Sequence, residues 1–199
     1  DSVMHAVSCI EPEYFIHAAA LTKPLSVHNT DIAKSIDTNI IGTANVVKAC
    51  AEKNIKLIYI STDYVYPKES IDVDEQHPVK PFTNYGWSKL GGECAVAMYP
   101  NSLILRGAFF ETPFPYSHGY TNIFKNQLYQ NESAKIILQL LDETGVINIG
   151  STKVRSLFDF AKDTKPDVLP AICTDNTTSK NMILNINKMN YILKNKEKI

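Results

Sequence analysis

The spacing of apolar residues switches repeatedly between helical and strand periods along the chain. Apolar residues recur at helical intervals over residues 3–10, 31–51, 84–99, 131–143 and 156–162. Runs rich in β-branched and other apolar residues predict strands over residues 14–17, 56–61, 102–106 and 146–149. The proline-containing segments 67–82 and 107–120 show no clear period and are predicted to be irregular. Strands that alternate with helices predict an α/β fold with a mostly parallel sheet.

The longest predicted helix, over residues 31–51, has one apolar face that a polar residue interrupts. The face consists of Ile32, Ile36, Ile40, Ala44 and Val47. Asn39 lies between two of these isoleucines. A buried Asn39 would need hydrogen-bond partners, and it could brace a neighbouring strand or a water near Lys89. A solvated Asn39 fits the pattern equally well.

Composition gives no case for a nucleic-acid binder or a membrane protein. The 199 residues are 44% hydrophobic, which is enough for one core, and a formal net charge of −1 offers no attraction to polyanions. No apolar run is long enough for a transmembrane helix. The cysteines (Cys9, Cys50, Cys94 and Cys173) lie far apart and the histidines lack ligand spacing. We therefore expect no metal site, and buried thiols in a reducing, cytoplasmic setting.

One tyrosine–lysine pair has the spacing of a proton-transfer site. Tyr85 and Lys89 are four residues apart in a predicted helix, so they share one face. An ammonium group near a phenol lowers a pKa that starts at about 10, which suits a carbonyl–alcohol redox reaction. The pair alone is weak, because about one such spacing is expected by chance. The second example, Tyr64 with Lys68, has Pro67 inside it and cannot form a helix face.

Polar and small residues follow two of the predicted strands. Ser61, Thr62 and Asp63 end one strand, and His17 ends another before three alanines. Open α/β sheets carry their sites at the carboxyl ends of strands, so a hydroxyl there could bind a substrate oxygen shared with Tyr85. Small residues would admit a flat ligand. Taken alone, the first group is better explained as a turn or helix cap, and the second as tight helix–sheet packing.

These segments, in this order, resemble the extended short-chain dehydrogenase/reductase family. The matching segments are HAAALTK at 17–23, Asn39 with Gly42 and Thr43, YISTDYVY at 59–66 and NYGWSKLGGE at 84–93. Within the family the chain is similar to sugar-nucleotide reductases of the dTDP-4-dehydrorhamnose reductase type, and the similarity continues through LILRGAFF, PFPY, VINIG and NMILNINKM. It covers nearly the whole chain. It implies a Rossmann-like, doubly wound parallel sheet with a small C-terminal lobe.

The resemblance implies a role for each matching residue. Thr62, Tyr85 and Lys89 would form the catalytic triad, with Tyr85 as proton donor and the hydride coming from NADP or NAD. The implied cofactor-binding residues are Ala18, Ala19, Ala20, Thr22, Asn39, Ser61, Tyr85, Lys89 and Arg106. The implied substrate contacts are Asp63, Tyr64, Asn84, Phe109 and Phe110. A partial NAD(P)-binding domain would span residues 1–107. A substrate-binding lobe would span 108–199, interleaved with the end of the Rossmann sheet.

Position 64 separates neighbouring activities within the family. Sugar-nucleotide 4,6-dehydratases usually carry Asp-Glu after the threonine, because β-elimination needs an extra acid and base. Here Asp63 is followed by Tyr64, a poor substitute for a carboxylic acid. The resemblance therefore favours a reductase of a nucleotide-activated 4-keto sugar over a dehydratase. An epimerase remains open, as does a non-catalytic dinucleotide-binding regulatory subunit.

The resemblance also implies partners. A nucleotide sugar is the implied substrate, and neither nucleic acid nor a membrane is expected as a partner. In this family the helices that correspond to residues 31–51 and 84–98 commonly pack into a four-helix dimer interface. We therefore expect a homodimer.

One family feature is missing from the sequence. None of the eight glycines belongs to a G-x-x-G-x-x-G loop, which binds the dinucleotide in this family. Because a βαβ unit takes about 30 residues, on the order of 60 residues of the amino half are expected to be absent. The chain opens with Asp1, so we expect a fragment, a split polypeptide or an incompletely ordered chain. If the 199 residues are the whole molecule, we expect neither tight dinucleotide binding nor turnover.

Overall fold

Helices and strands alternate along residues 2–196, which the computed structural model describes. The helices are α1 (Ser2–Ile10), α2 (Val27–Thr30), α3 (Ile32–Ile36), α4 (Gly42–Lys53), α5 (Asn84–Ala97), α6 (Gln130–Gln139), α7 (Leu157–Ala161) and α8 (Asn187–Lys196). The strands are β1 (Tyr14–His17), β2 (Lys56–Ile60), β3 (Ser70–Val73), β4 (Ser102–Arg106), β5 (Phe109–Phe110), β6 (His118–Tyr120), β7 (Phe124–Lys125), β8 (Leu128–Tyr129), β9 (Gly145–Asn148), β10 (Arg155–Ser156), β11 (Leu169–Ala171) and β12 (Asn181–Leu184). No helix within residues 2–196 is both long and apolar enough to span a bilayer.

The chain divides into two compact units. The first contains Asp1–Val65, Pro81–Arg106 and Leu141–Ile147. The second contains Tyr66–Lys80, Gly107–Leu140 and Asn148–Ile199. Each unit is therefore built from segments that are separated in the sequence. The assignment of cofactor binding to residues 1–107 and of substrate binding to 108–199 stays a prediction.

The first unit contains a four-stranded sheet with the strand order β1-β2-β4-β9. β1 is parallel to β2 and β2 is parallel to β4, with Tyr14 opposite Lys56 and Leu57 opposite Ser102. The central residues of β2 and β4 are apolar and buried, as expected for inner strands of a parallel sheet with both faces covered. This sheet confirms the predicted α/β fold.

The helix predicted over residues 31–51 forms as three consecutive segments, α3, a π-helical turn at Asp37–Ile41, and α4. Ser35, Asn39 and Thr43 are buried along this helix, whereas Ile32 and Ile36 are exposed. A π-turn places an extra residue in the helical ladder and so changes which side chains face inwards. The isoleucines at the start of the predicted apolar face therefore do not belong to the core, and polar side chains with partners lie on the buried side instead.

The second unit is built from short strands around an aromatic cluster. One sheet has the order β10-β7-β12-β3, and two further pairs are β11-β6 and β5-β8. Phe114, Tyr129 and Phe160 are buried together, with 4.1 Å between the ring centres of Tyr129 and Phe160. The sequence pattern missed β3, β5 and β6 in segments predicted to be irregular. β5 and β6, with two and three residues, are too short to show a period. β3 is as long as β1, but its sequence SIDV is half polar, whereas β1 is the mostly apolar run YFIH.

The four cysteines are free. Cys50 and Cys173 are buried, whereas Cys9 and Cys94 are exposed. The prediction of buried thiols is therefore correct for two cysteines and wrong for the other two. Cys94 follows the buried Glu93 on α5, and one residue along a helix is a rotation of about 100° away from the inward face.

Candidate active site

The carboxyl ends of β1 and β2 lie side by side in the first unit, because the strands are parallel and His17 is opposite Tyr59. The alanines at positions 18–20 follow β1 and are at least partly exposed. Ser61, Thr62 and Asp63 follow β2 and are buried. Parallel sheets commonly carry their functional groups at this edge. The alanines after β1 and the polar residues after β2, both predicted from the sequence, therefore lie at the same edge of the sheet.

Helix α5 brings Tyr85, Lys89 and Glu93 onto one face at intervals of four residues. The helix begins at Asn84 and is capped by Thr83, whose Oγ1 accepts a hydrogen bond from the backbone N–H of Gly86 at 3.0 Å. Lys89 and Glu93 are buried, and Tyr85 is half-buried. The helix therefore places a phenol, an ammonium group and a carboxylate in one row.

Thr62 and Tyr85 interact at the start of this row. The Thr62 hydroxyl donates to Asp63 Oδ1 at 3.2 Å and accepts from the backbone N–H of Tyr64 at 3.3 Å. Burial raises the pKa of Tyr85 to about 12, although a hydrogen bond with Thr62 lowers it. The lowered pKa expected from Lys89 is therefore wrong, because the cost of burying a phenolate dominates. At neutral pH Tyr85 is a protonated phenol, which is the form that donates a proton.

Lys89 is 3% exposed, and its Nζ lies 4.1 Å from the centre of the Tyr59 ring. Burial lowers the pKa of Lys89 to about 7, while the charge of Glu93 raises it. A lysine that titrates near neutral pH can change its charge under ordinary conditions. Such strongly shifted groups concentrate at functional sites.

Aromatic rings surround Tyr85. The ring centre of His28 lies 5.2 Å from that of Tyr85, and the ring centre of Tyr64 lies 6.0 Å away. Tyr64 also packs on Phe82, at 5.2 Å. Asn84, beside Tyr85 in sequence, donates to Asn29 Oδ1 at 2.9 Å and is exposed. Two of the predicted substrate contacts, Tyr64 and Asn84, are thus next to the phenol, in space or in sequence.

Asn39 is buried and braces the segment that follows β1. Its Oδ1 accepts from the backbone N–H of Leu21 at 2.8 Å. Its Nδ2 donates to the Leu21 carbonyl at 3.0 Å and to Ser88 Oγ at 2.9 Å. The structure therefore decides between the two sequence-based alternatives. The side chain ties the loop after β1 to α5, and its polar groups are engaged by the protein itself.

His17 is a neutral group at the end of β1. Its Nε2 lies 3.0 Å from Thr43 Oγ1, and the Thr43 hydroxyl donates to the Asn39 carbonyl at 2.8 Å. The Thr43 hydroxyl therefore accepts a hydrogen bond from Nε2, which places the ring hydrogen on that nitrogen. Burial lowers the pKa of His17 to about 4, and the charge of Lys89 contributes.

Ser61 and Arg106, which the resemblance placed near the cofactor, meet at a residue that the sequence analysis did not single out. The Ser61 hydroxyl donates to Glu93 Oε1 at 2.5 Å. Arg106 Nη2 donates to Glu93 Oε2 at 2.7 Å, and its Nε lies 3.1 and 3.2 Å from the two carboxylate oxygens. Glu93 follows Lys89 by four residues, as Lys89 follows Tyr85. This repeated spacing is the feature of the sequence that could have identified Glu93 as part of the site.

Close packing of α5 against its neighbours depends on Gly92. A Cβ at this position would lie 2.5 Å from the Tyr59 hydroxyl and 2.9 Å from the Asn39 carbonyl. Contacts this short do not occur in folded proteins, so only glycine fits without movement of β2 or the π-turn. The glycine lets the helix that carries Lys89 lie directly on the strand that carries Tyr59.

The remaining predicted residues are placed differently. Thr22 is exposed beyond the alanines of the first unit. Phe109 and Phe110 form β5 of the second unit, where the ring of Phe110 stacks on that of Phe114 at 5.7 Å. Their predicted role in substrate binding stays a prediction.

A parallel α/β sheet with a threonine, a tyrosine and a lysine beside its strand ends has the arrangement of a short-chain dehydrogenase/reductase, as the motifs predicted. Residues 1–161 match the family described as RmlD substrate binding domain. The chain belongs to this family.

Three known proteins illustrate the relationship. The chain is 31% identical over 150 residues to dTDP-4-dehydrorhamnose reductase of Mycolicibacterium smegmatis, covering 63% of the chain and 45% of that protein. It is 34% identical over 96 residues to methionine adenosyltransferase 2 subunit beta of Pongo abelii, covering 48% of the chain and 28% of that protein. The chain thus spans less than half the length of these relatives.

The third protein is a solved structure. The dTDP-4-dehydrorhamnose reductase from Bacillus anthracis str. Ames, in complex with NADP, matches with a TM-score of 0.82 and 26% identity. The match covers 95% of this chain and 76% of that chain. This likeness confirms the predicted Rossmann-like fold.

Proposed function

We propose that the protein is an NAD(P)-dependent reductase of a nucleotide-activated 4-keto sugar. One observation carries the proposal: a protonated Tyr85 interacts with the Thr62 hydroxyl, and Lys89 lies one helical turn away with a pKa of about 7. These residues meet at the strand ends where α/β sheets bind ligands. Membership in the RmlD family supports the choice of substrate class.

The residues at the end of β1 fit a nicotinamide cofactor. Ala18 and Ala19 are exposed and Ala20 is half-buried, so the backbone there is open to a flat ligand. In the proposed role these alanines and Thr22 line NADP or NAD, and Lys89 binds its ribose. Ser61 and Arg106 both bind the carboxylate of Glu93, which lies four residues after Lys89 on α5. When bound, the reduced cofactor supplies the hydride.

The chain's own residues handle the proton. Thr62 would orient the ketone oxygen by its hydroxyl, and Tyr85 would donate its proton to that oxygen as it becomes an alkoxide. A phenol with a pKa of about 12 is still a stronger acid than an alcohol, so the transfer runs in the direction of reduction. Asp63 is followed by Tyr64 rather than by a carboxylic acid, which favours reduction over β-elimination.

The test is consumption of NADPH or NADH with a panel of 4-keto nucleotide sugars. In an enzyme that contains the dinucleotide-binding loop missing from these 199 residues, we expect turnover and a loss of about 100-fold or more in Tyr85→Phe, with cofactor binding retained. The matched control is Tyr191→Phe, since Tyr191 is an exposed tyrosine on α8. Equal rates in wild type and Tyr85→Phe would exclude Tyr85 as proton donor.

A second candidate is a regulatory subunit without turnover. The 96-residue match to methionine adenosyltransferase 2 subunit beta, a protein named as a subunit, favours it. Binding to a partner enzyme with no consumption of reduced cofactor on the same sugar panel would select this alternative. The presence of Thr62, Tyr85 and Lys89 together supports the reductase instead.

We propose a homodimer that forms through the helices over residues 32–53 and α5. Ile32, Ile36, Ile41 and Trp87 expose large apolar areas on these helices. Light scattering after size exclusion should give a dimer, and Ile36→Glu with Ile41→Glu should give a monomer. Ile10→Glu, at an exposed isoleucine of α1, is the control and should leave the dimer intact. A monomeric wild type would exclude the proposal.

We also propose a cytoplasmic location. Cys9 and Cys94 are exposed and unpaired, and exposed free thiols persist best in a reducing compartment. Fractionation of cells that produce the protein would test this, and recovery in an oxidising compartment would contradict it.

A further inference from the structure

Glu93, Ser61 and Arg106 form a buried polar cluster, and Glu93 lies one helical turn after Lys89 on α5. Glu93 is 3% exposed, and four short contacts from Ser61 and Arg106 satisfy its carboxylate. A buried ion pair contributes little net stability, since apolar residues of similar size often stabilise a protein equally well. Stability alone therefore gives little reason for a carboxylate at this position.

The position of Glu93 relative to Lys89 suggests such a reason. The two residues are four apart on α5, so Glu93 lies one turn beyond Lys89 on the same face. Its negative charge favours the ammonium form of Lys89, against the burial that disfavours it. Ser61, which holds Glu93, directly precedes Thr62 in the chain.

The other groups around Lys89 do not replace this charge. Tyr59, from β2, presents a ring face at 4.1 Å, and its own pKa is raised by burial, so it is neutral. His17, from β1, is neutral at pH 7 because its pKa is about 4. Tyr85, on α5 itself, is a protonated phenol. Arg106, from β4, is positive and lies against Glu93, where it offsets part of the carboxylate charge.

We infer that Glu93 is a positioning residue of the proposed active site, which acts through Lys89 by keeping its side chain charged, with Arg106 and Ser61 fixing the carboxylate. The inference rests on the proposed function for its meaning. It predicts opposite effects for the two members of the ion pair. Loss of the Glu93 charge should make Lys89 easier to deprotonate, whereas loss of the Arg106 charge should make it harder.

The experiment is an NMR pH titration of the Lys89 side chain in the whole protein. The ¹³Cε and ¹⁵Nζ signals of Lys89 are assigned by their loss in Lys89→Arg. We expect the midpoint to fall by about 1 pH unit in Glu93→Gln and to rise in Arg106→Gln. Glu93→Asp keeps the charge and should restore a midpoint close to that of the wild type.

A purely structural role for Glu93 would shift the midpoint in the same direction in Glu93→Gln and Arg106→Gln, or not at all, and either result would overturn the inference. If Glu93→Gln does not fold, Arg106→Gln and Glu93→Asp decide the question by the same rule. The titration needs no turnover. Absence of sugar reduction by an enzyme that contains the dinucleotide-binding loop would therefore refute the proposed function, whereas unchanged midpoints would refute the role of Glu93.

Discussion

Two ion pairs of nearly equal length have very different surroundings, one in each unit of the protein. Arg106 Nη2 and Glu93 Oε2 are 2.7 Å apart, and their side chains are 7% and 4% exposed. Arg155 Nη1 and Asp163 Oδ2 are 2.6 Å apart, and their side chains are 27% and 48% exposed. The two N–O distances are alike, so the pairs differ in burial and not in length.

This difference has an energetic consequence. Water can replace a partner of the exposed pair, so the loss of either member costs little. Water cannot replace a partner of the buried pair, so the loss of one member leaves an uncompensated charge in the interior. The buried pair belongs to the proposed active site, where the charge of Glu93 favours the ammonium form of Lys89. Among the described residues, the structure shows no such role for the exposed pair of Arg155 and Asp163.

The largest expected effect comes from breaking the buried pair. Arg106→Met should lower the free energy of unfolding by about 3–5 kcal/mol, because Ser61 is then the one side-chain donor to Glu93 within residues 2–196. Urea denaturation followed by circular dichroism measures this. Glu93→Met combined with Arg106→Met is the control and should recover most of the loss, since neither charge of the pair then remains buried without its partner. A single variant as stable as the wild type would contradict the comparison.

The next effect is the pH dependence that His17 imposes. Its pKa is about 4 in the folded protein and about 6.5 when unfolded. Below pH 6.5 the unfolded chain takes up a proton that the folded protein does not, so stability falls as the pH drops towards 4. The loss reaches about 3 kcal/mol and ends below pH 4.

The measurement for His17 is urea denaturation at a series of pH values. His17→Gln keeps a donor towards Thr43 but cannot titrate, so its curve should be flatter between pH 4 and 6.5. His118→Gln, at an exposed histidine of β6, is the matched control for the loss of a histidine. A wild-type curve that is flat below pH 6.5 would contradict the buried, neutral His17.

Lys89 affects stability in a different pH range. Its lowered pKa makes the free energy of unfolding rise between about pH 7 and 10.5.

Helix spacing carries a smaller expected effect. Gly92→Ala should cost about 1–3 kcal/mol, because the new methyl group would collide with the Tyr59 hydroxyl and the Asn39 carbonyl. Gly42→Ala is the matched control on α4, where the nearest atom is the Asp37 carbonyl oxygen at 3.4 Å. It should be neutral or stabilise the helix by about 0.5–1 kcal/mol. Equal effects at both positions would show that α5 does not need its close approach.

The sequence predicted the regular parts of the first unit well, for a physical reason. β1, β2 and β4 are mostly apolar runs, which predict buried strands, and the placement of Tyr85 and Lys89 on one face of α5 follows from the helical period alone. The burial of Asn39 could not be read, because a π-turn at Asp37–Ile41 changes the inward face. The role of Glu93 was also hidden, since its partners Ser61 and Arg106 come from two other strand ends.

The second unit was less predictable for a different reason. β3 has four residues and pairs with β12, more than 100 residues further along the chain. Local propensity contains no information about such a partner. The proline-containing composition of residues 67–82 therefore predicts an irregular segment, although β3 lies within it.

The smallest expected effect completes the comparison of the two ion pairs. Arg155→Met should change the free energy of unfolding by no more than about 1 kcal/mol. The variant loses the contact with Asp163 and the position of the guanidinium 5.3 Å from the Phe160 ring, but it also removes a buried Nε without a partner in the described structure. These contributions oppose each other. Urea denaturation beside Arg106→Met measures both pairs on one scale, and a loss of about 3 kcal/mol or more in Arg155→Met would show that burial does not distinguish them.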